Sequence, residues 1–189
     1  MSSDTTGRPR VLVGASGAAA VLTLPSYLIA LRTKLDCQLT VVLSAAAGRF
    51  LPARTVRLVA DDVIDSTDHD AVFAANHVRL AVEHNLVLAL PATANLLADV
   101  AHGHAPSLLS TVALASPAPI TFVPAMNRSM WTKPAVQRNV ALLRDDGHDV
   151  VEPQWRTAFE LSTRREHENP VLASPGEITD LVAERLTTQ

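Results

Sequence analysis

Four short apolar runs, Val11–Val13, Leu39–Leu43, Leu86–Leu90 and Ile120–Val123, narrow the choice of fold more than any other feature of this chain. A weaker fifth run covers Asp149–Val151. None alternates apolar with polar residues, so both faces of each run must be covered, as in a parallel sheet packed between helices. Helical patterns lie between the runs. Ala71–Glu83 reads as one amphipathic helix, with Ser66, Thr67 and Asp68 available as N-terminal caps. Pro134–Asp146 reads as another, opening on proline and stopping at Gly147. A last helix, about Glu177 to Leu186, follows the Ser174-Pro175-Gly176 turn. Strands alternating with helices give an α/β fold, a doubly wound parallel sheet flanked by helices. Pro25 falls inside the first helix and should kink it or delay its start.

The stretch Val11–Leu31 is uncharged, follows Arg8 and Arg10, and is as long as a membrane span. Its Gly14, Ser16, Gly17, Thr23, Pro25 and Ser26 argue instead for a buried strand, a glycine turn and a buried helix. The 189 residues fit one domain, with no repeat, linker or low-complexity tract. Residues 1–9 read as a disordered lead-in. Apolar residues make up 48% of the chain, which excludes a disordered protein. Twenty-nine of them are alanines, small enough for close-packed helices and loops. Sixteen Lys and Arg against nineteen Asp and Glu leave a net charge of −3. With no basic surplus or cluster, nucleic acid is not an expected partner, and neither is a membrane. A lone cysteine, Cys37, excludes an internal disulfide framework and any multi-cysteine metal site. A cytoplasmic location is the expectation.

Ligands of open α/β sheets bind beyond the carboxyl ends of the strands. The first strand here is followed by Gly14-Ala15-Ser16-Gly17 and then Ala18-Ala19-Ala20. The second ends in Ser44 before Ala45-Ala46-Ala47-Gly48. The third leads into Pro91-Ala92-Thr93-Ala94-Asn95, and the fourth into Pro124-Ala125-Met126-Asn127. Every end carries small residues, hydroxyls or amides, and none carries a charge. Small residues let a ligand approach the backbone, and amides and hydroxyls suit a phosphate and the edge of a flat heterocycle. A phosphate-bearing cofactor with a planar ring is the inference.

The histidines point less sharply. His77 falls mid-helix, and His84 follows seven residues later on the same face. His102-Gly103-His104 has a spacing two metal ligands can use, but no Cys or further His nearby completes a site, so no metal is expected. Cys37 lies at the start of the second strand, away from the carboxyl ends, and reads as a buried small hydrophobe.

These loops resemble the homo-oligomeric flavin-containing cysteine decarboxylases. Pro91-Ala92-Thr93-Ala94-Asn95 looks like that family's PASANT motif, departing at Leu96, where the family has Thr. Pro124-Ala125-Met126-Asn127-Arg128-Ser129-Met130-Trp131 matches its PxMNxxMW motif at every fixed position. The likeness runs from the first strand to the last helix and includes Ser44 with Phe50, and His77 before the PASANT-like strand. It implies a Rossmann-like flavoprotein that binds FMN or FAD. Ser16, Gly17, Ala18, Ala19, Ser44, Phe50, Thr93, Ala94, Asn95, Ala125 and Met126 would hold the flavin. Asn127, Met130 and Phe159 would meet the substrate, with Asn127 on its carboxylate, and His77 would be the catalytic acid/base group. The resemblance also implies a homo-oligomer with the flavin between subunits of a trimer, often assembled into a dodecamer.

Within that family, the phosphopantothenoylcysteine decarboxylases of coenzyme A synthesis place a second catalytic cysteine after the PxMNxxMW helix. Here that region reads Pro153-Gln154-Trp155-Arg156-Thr157-Ala158-Phe159-Glu160-Leu161-Ser162, similar to the epidermin-type peptidyl-cysteine decarboxylases. The implied reaction is oxidative decarboxylation of the C-terminal cysteine of a ribosomally made precursor peptide, as in lanthipeptide maturation. The product would be a C-terminal aminoenethiol for other peptide-modifying enzymes to capture. A coenzyme A-type decarboxylase, a flavin prenyltransferase-like enzyme and a silent regulatory flavoprotein are the alternatives. Residues 154–165 mix Trp155 and Phe159 with Arg156, Arg164 and Arg165 without a clean period, and read either as a substrate lid or as a surface hairpin.

Overall fold

The computed structural model describes residues 7–160 and 164–188. Its first half contains β1 (Arg10–Ala15), a 3₁₀ turn at Ala19–Thr23, α1 (Leu24–Lys34), β2 (Gln38–Leu43), α2 (Ala45–Phe50), α3 (Ala53–Val56), β3 (Asp62–Asp65), α4 (His69–Ala74) and α5 (His77–Glu83). There follow β4 (Leu86–Ala92), α6 (Ala94–Ala101), α7 (Leu108–Ala115), β5 (Ile120–Pro124), α8 (Arg128–Trp131), α9 (Pro134–Asp145) and β6 (Asp149–Val150). The chain then adds β7 (Gln154–Glu160), β8 (Arg165–Val171) and α10 (Pro175–Thr187). Strands β1 to β6 form one sheet in the order β3-β2-β1-β4-β5-β6, and every pairing is parallel. The order reverses between β1 and β4, and the crevice outside that switch point is where such sheets bind ligands.

The apolar runs become strands because both sheet faces are buried. Val11, Val13 and Ala15 of β1 pack on one side with Leu28, Leu31, Leu39 and Val182. Leu12 packs on the other with Leu97, Leu109, Val112, Phe122 and Leu143. Each fully buried Leu or Phe is worth roughly 1.5–3 kcal/mol. The span-length stretch resolves into β1, the 3₁₀ turn and α1, and no helix among the described residues is long and apolar enough to cross a membrane. Pro25 sits in the first turn of α1, where its missing N–H costs nothing; the helix starts at Leu24 and the residues before it take the tighter turn.

Two readings are corrected and a third is made specific. Ala71–Glu83 is not one helix: α4 ends at Ala74, Ala75 and Asn76 are extended, and the Asn76 side chain caps α5 by accepting from Arg79 N. His77 is therefore the first residue of a helix, not a mid-helix one. Residues 154–165, read as a lid or a surface hairpin, fall in the antiparallel pair β7–β8, with Gln154 opposite Val171 and Glu160 opposite Arg165; residues 161–163 lie outside the described residues. Of the lead-in, residues 1–6 lie outside the described residues, while Pro9 O accepts from Gln38 N and Arg8 pairs with Asp36, so Arg8 and Pro9 are tied to the amino end of β2.

His84 is buried between the second and fourth strands. Its Nδ1 lies 2.7 Å from Leu80 O and its Nε2 3.0 Å from Thr40 Oγ1. A carbonyl only accepts, so Nδ1 carries the proton and Nε2 accepts from the Thr40 hydroxyl. Burial holds the ring pKa below its ordinary value, and the Leu80 carbonyl opposes this only in part. On acidification the unfolded chain takes the proton first. The stability held by neutral His84 is thus complete above the unfolded pKa and is lost as pH falls through it towards the folded value. Urea unfolding between about pH 7.5 and 5 should show wild type losing stability on acidification more steeply than His84→Gln. Equal slopes would remove His84 as a cause.

Candidate active site

The carboxyl ends of the central strands are tied together by backbone and one hydroxyl. Ser44 N donates to Ala15 O, joining β2 to β1, and Ala125 N donates to Ala92 O, joining β5 to β4. Between β1 and β4 stands Ser16, whose N–H and hydroxyl both donate to Pro91 O, at 3.0 and 2.7 Å. The same hydroxyl accepts from Thr93 N at 2.7 Å. Beside it, a Cβ on Gly17 would meet Ala46 Cβ at 2.3 Å, so only glycine lets the loops after β1 and β2 approach this closely.

A pocket of about 720 Å³ opens at this edge, within the usual size range for a small-molecule or cofactor site. Gly17, Ala18, Ala19, Ala20 and Thr23 form one wall, Thr93 and Ala94 the next, and Ala125, Met126, Asn127 and Met130 the third. Tyr27, the hairpin residues Ala158, Phe159, Asn169, Pro170 and Val171, and Leu172 just beyond them complete it. No lining side chain carries a charge. Small residues beside exposed backbone, with Thr and Asn as the polar groups, fit a flat heterocycle and its phosphate.

The PxMNxxMW segment earns its residue types here. Pro124 ends β5, and the Asn127 side chain caps α8 by accepting from Met130 N at 2.9 Å. Trp131 is buried in the core, and Met130 is left facing the pocket. Tyr27 donates its hydroxyl to Ala173 O at 2.7 Å, tying α1 to the chain leaving the hairpin; burial and then Glu177 hold its pKa above the usual phenol range.

Of the residues read from sequence, Gly17, Ala18, Ala19, Thr93, Ala94, Ala125, Met126, Asn127, Met130 and Phe159 come together in the pocket. Ser16 is buried just beneath and frames it. Ser44 caps α2 by accepting from Ala47 N, and Phe50, Asn95 and His77 are exposed outside the lining. Tyr27 and Asn169 were not foreseen. Asn169 precedes a proline at the end of β8, a signal that carries meaning only once the hairpin is known. His102 pairs with Asn139, and no group of three or more His, Cys, Asp or Glu among the described residues is placed to hold a metal.

A family model described as "Flavoprotein" matches residues 1–187. Among curated relatives, mersacidin decarboxylase of Bacillus sp. (strain HIL-Y85/54728) is 34% identical over 166 residues, covering 88% of this chain and 84% of the relative. The probable phosphopantothenoylcysteine decarboxylase of Streptococcus mutans is 35% identical over 149 residues, covering 77% and 83%. Among solved structures, EpiD complexed with the substrate peptide DSYTC superposes with a TM-score of 0.85 at 25% identity, covering 93% of this chain and 99% of that one. The FMN-dependent cysteine decarboxylase SpaF gives 0.77 at 32% identity, covering 95% and 96%.

Removing the hydroxyl that serves both β1 and β4 should cost about 1–3 kcal/mol, because Thr93 N–H is left buried without its acceptor. Denaturant unfolding of Ser16→Ala measures this; a loss below about 0.5 kcal/mol would show that the bridge contributes little.

Proposed function

The chain belongs to the flavoprotein family, in which the relatives above are decarboxylases, and we propose that it oxidatively decarboxylates the C-terminal cysteine of a peptide. The observation that carries this reading is the uncharged pocket at the switch point, with Asn127 on one wall and a strand hairpin across its mouth. The FMN dependence of SpaF supports FMN as the flavin, and the DSYTC complex of EpiD supports a Cys-terminated peptide as the substrate.

A carboxylate on a saturated carbon leaves reluctantly, because its electron pair has no sink. The bound flavin supplies a two-electron oxidant for the carbon that bears the thiol. Oxidation there gives a thioaldehyde, whose sulfur takes up the electron pair when carbon dioxide departs, leaving an enethiol. In this reading Gly17, Ala18, Ala19, Thr93 and Ala94 hold the flavin through backbone and hydroxyl contacts. Asn127 has its oxygen committed to Met130 N, which leaves its NH₂ to orient the substrate carboxylate. Met126, Met130 and Phe159 keep water from the reacting carbon, and the β7–β8 hairpin acts as the lid.

His77 requires a second subunit. It opens α5 on the outer surface, and α4 and α5 also expose Phe73, Val78 and Val82, Phe73 to 94%. Apolar residues so exposed mark an interaction face. In a homo-oligomer, with a trimer as its unit, this face seats against a neighbour and His77 reaches the neighbour's pocket to manage the proton of the thiol. Light scattering should then report an assembly for wild type and a smaller, flavin-poor species for Phe73→Asp. An assembled Phe73→Asp protein would move the interface elsewhere.

The second reading, a phosphopantothenoylcysteine decarboxylase, draws on the 35% identity to the Streptococcus mutans protein. Saturating the enethiol calls for a proton donor at carbon, which that branch supplies with a second cysteine. Cys37, the lone cysteine, is 4% exposed and precedes β2, at the end of the sheet opposite the pocket. The product here therefore leaves unsaturated. Anaerobic addition of a Cys-terminated peptide should bleach the flavin and give a product lighter by carbon dioxide and two hydrogens. A loss of carbon dioxide alone would point to the coenzyme A branch. His77→Asn should keep the flavin and lose this turnover; undiminished turnover would make His77 structural.

A further inference from the structure

We propose that Asn169 is a second specificity residue of the pocket, donating its amide N–H to the substrate's C-terminal carboxylate beside Asn127; this rests on the decarboxylase reading. Asn169 comes from β8, 42 positions beyond Asn127, and is only 8% exposed although it lines the pocket. Its Oδ1 accepts a long bond, 3.4 Å, from Arg128 N. Asn127 Oδ1 accepts from Met130 N three residues on. Backbone N–H groups can only donate, so both amides are turned the same way, oxygen towards the first turn of α8 and NH₂ away from it. Neither NH₂ has a partner among the described residues, and both asparagines line the pocket, so the two donors are open to a ligand there. Two adjacent donors and no acceptor describe a receptor for a carboxylate.

The neutrality of the pair suits the reaction. Arg128, next to Asn127, is turned outward, its guanidinium over the Trp155 ring at 5.6 Å and near Glu168 at 3.6 Å. An ion pair to the carboxylate would stabilise the ground state and be lost as carbon dioxide forms. Amide donors hold the group with a smaller penalty of that kind.

The test uses the flavin-loaded enzyme and a pool of synthetic pentapeptides, randomised at four positions and ending in Cys. The member that wild type consumes fastest becomes the probe, and the same peptide with a C-terminal carboxamide serves as a competitive inhibitor. Asn169→Asp keeps the bond from Arg128 N but faces the substrate with an acceptor. It should raise KM for the acid peptide at least tenfold while the carboxamide binds as well as before or better, with flavin absorbance unchanged. Asn169→Ala, read the same way, should raise KM about tenfold and serves if the aspartate variant does not fold. Equal weakening of both peptides would make Asn169 a support of the hairpin, and no change in either would remove it from the site; each overturns the proposal. Failure of wild type to consume any member of the pool would instead bring down the decarboxylase reading itself.

Discussion

One hydroxyl holds the switch point together. Ser16 donates to Pro91 O and accepts from Thr93 N, so the ends of β1 and β4 move as a unit at the place where a doubly wound sheet would otherwise split open. With Ser44 N on Ala15 O and Ala125 N on Ala92 O, four strand ends are fixed without any side chain reaching into the crevice. The pocket walls are free to be glycine and alanine because the structural work lies one layer below them. Gly17 is the extreme case, since even a methyl group there would collide with Ala46.

The central sheet was legible because β1, β2, β4 and β5 are buried on both faces, which leaves continuous apolar runs. β3 was not, since only Val63 and Ile64 of this edge strand pack, between Asp62 and Asp65. The break between α4 and α5 was hidden by an apolar pattern that runs across it, and the decisive signal was Asn76, a capping residue in the middle of the pattern. The hairpin was legible only as one of two alternatives, because a ribbon with little of either face in the core has no need to alternate. The site followed the same logic. Residues just after strands β1, β4 and β5 were found by position, whereas Tyr27 and Asn169 enter from elements whose placement depends on tertiary packing. Phe50, Asn95 and His77 were named through family likeness and stand outside the pocket of the single chain.

The pocket manages charge by keeping it out. Its polar groups are hydroxyls, amides and backbone, and the nearby cation Arg128 is held outward by an aromatic ring and a carboxylate. Oriented neutral dipoles of this kind hold an anion while leaving it free to lose its charge, because nothing in the wall carries a countercharge to be orphaned.

The hairpin also differs from the sheet in what its displacement would cost. No residue of β7 or β8 belongs to either core cluster, while the chain on both sides of it, Val151 and Leu172 to Ala173, packs against one. The ribbon is therefore anchored at both ends while adding little of its own to the core. Its local opening exposes little apolar surface and need not borrow from the global unfolding free energy. If the hairpin is the lid proposed above, traffic through the mouth of the pocket and retention of what lies at its floor answer to two different stabilities, each open to sequence change without the other.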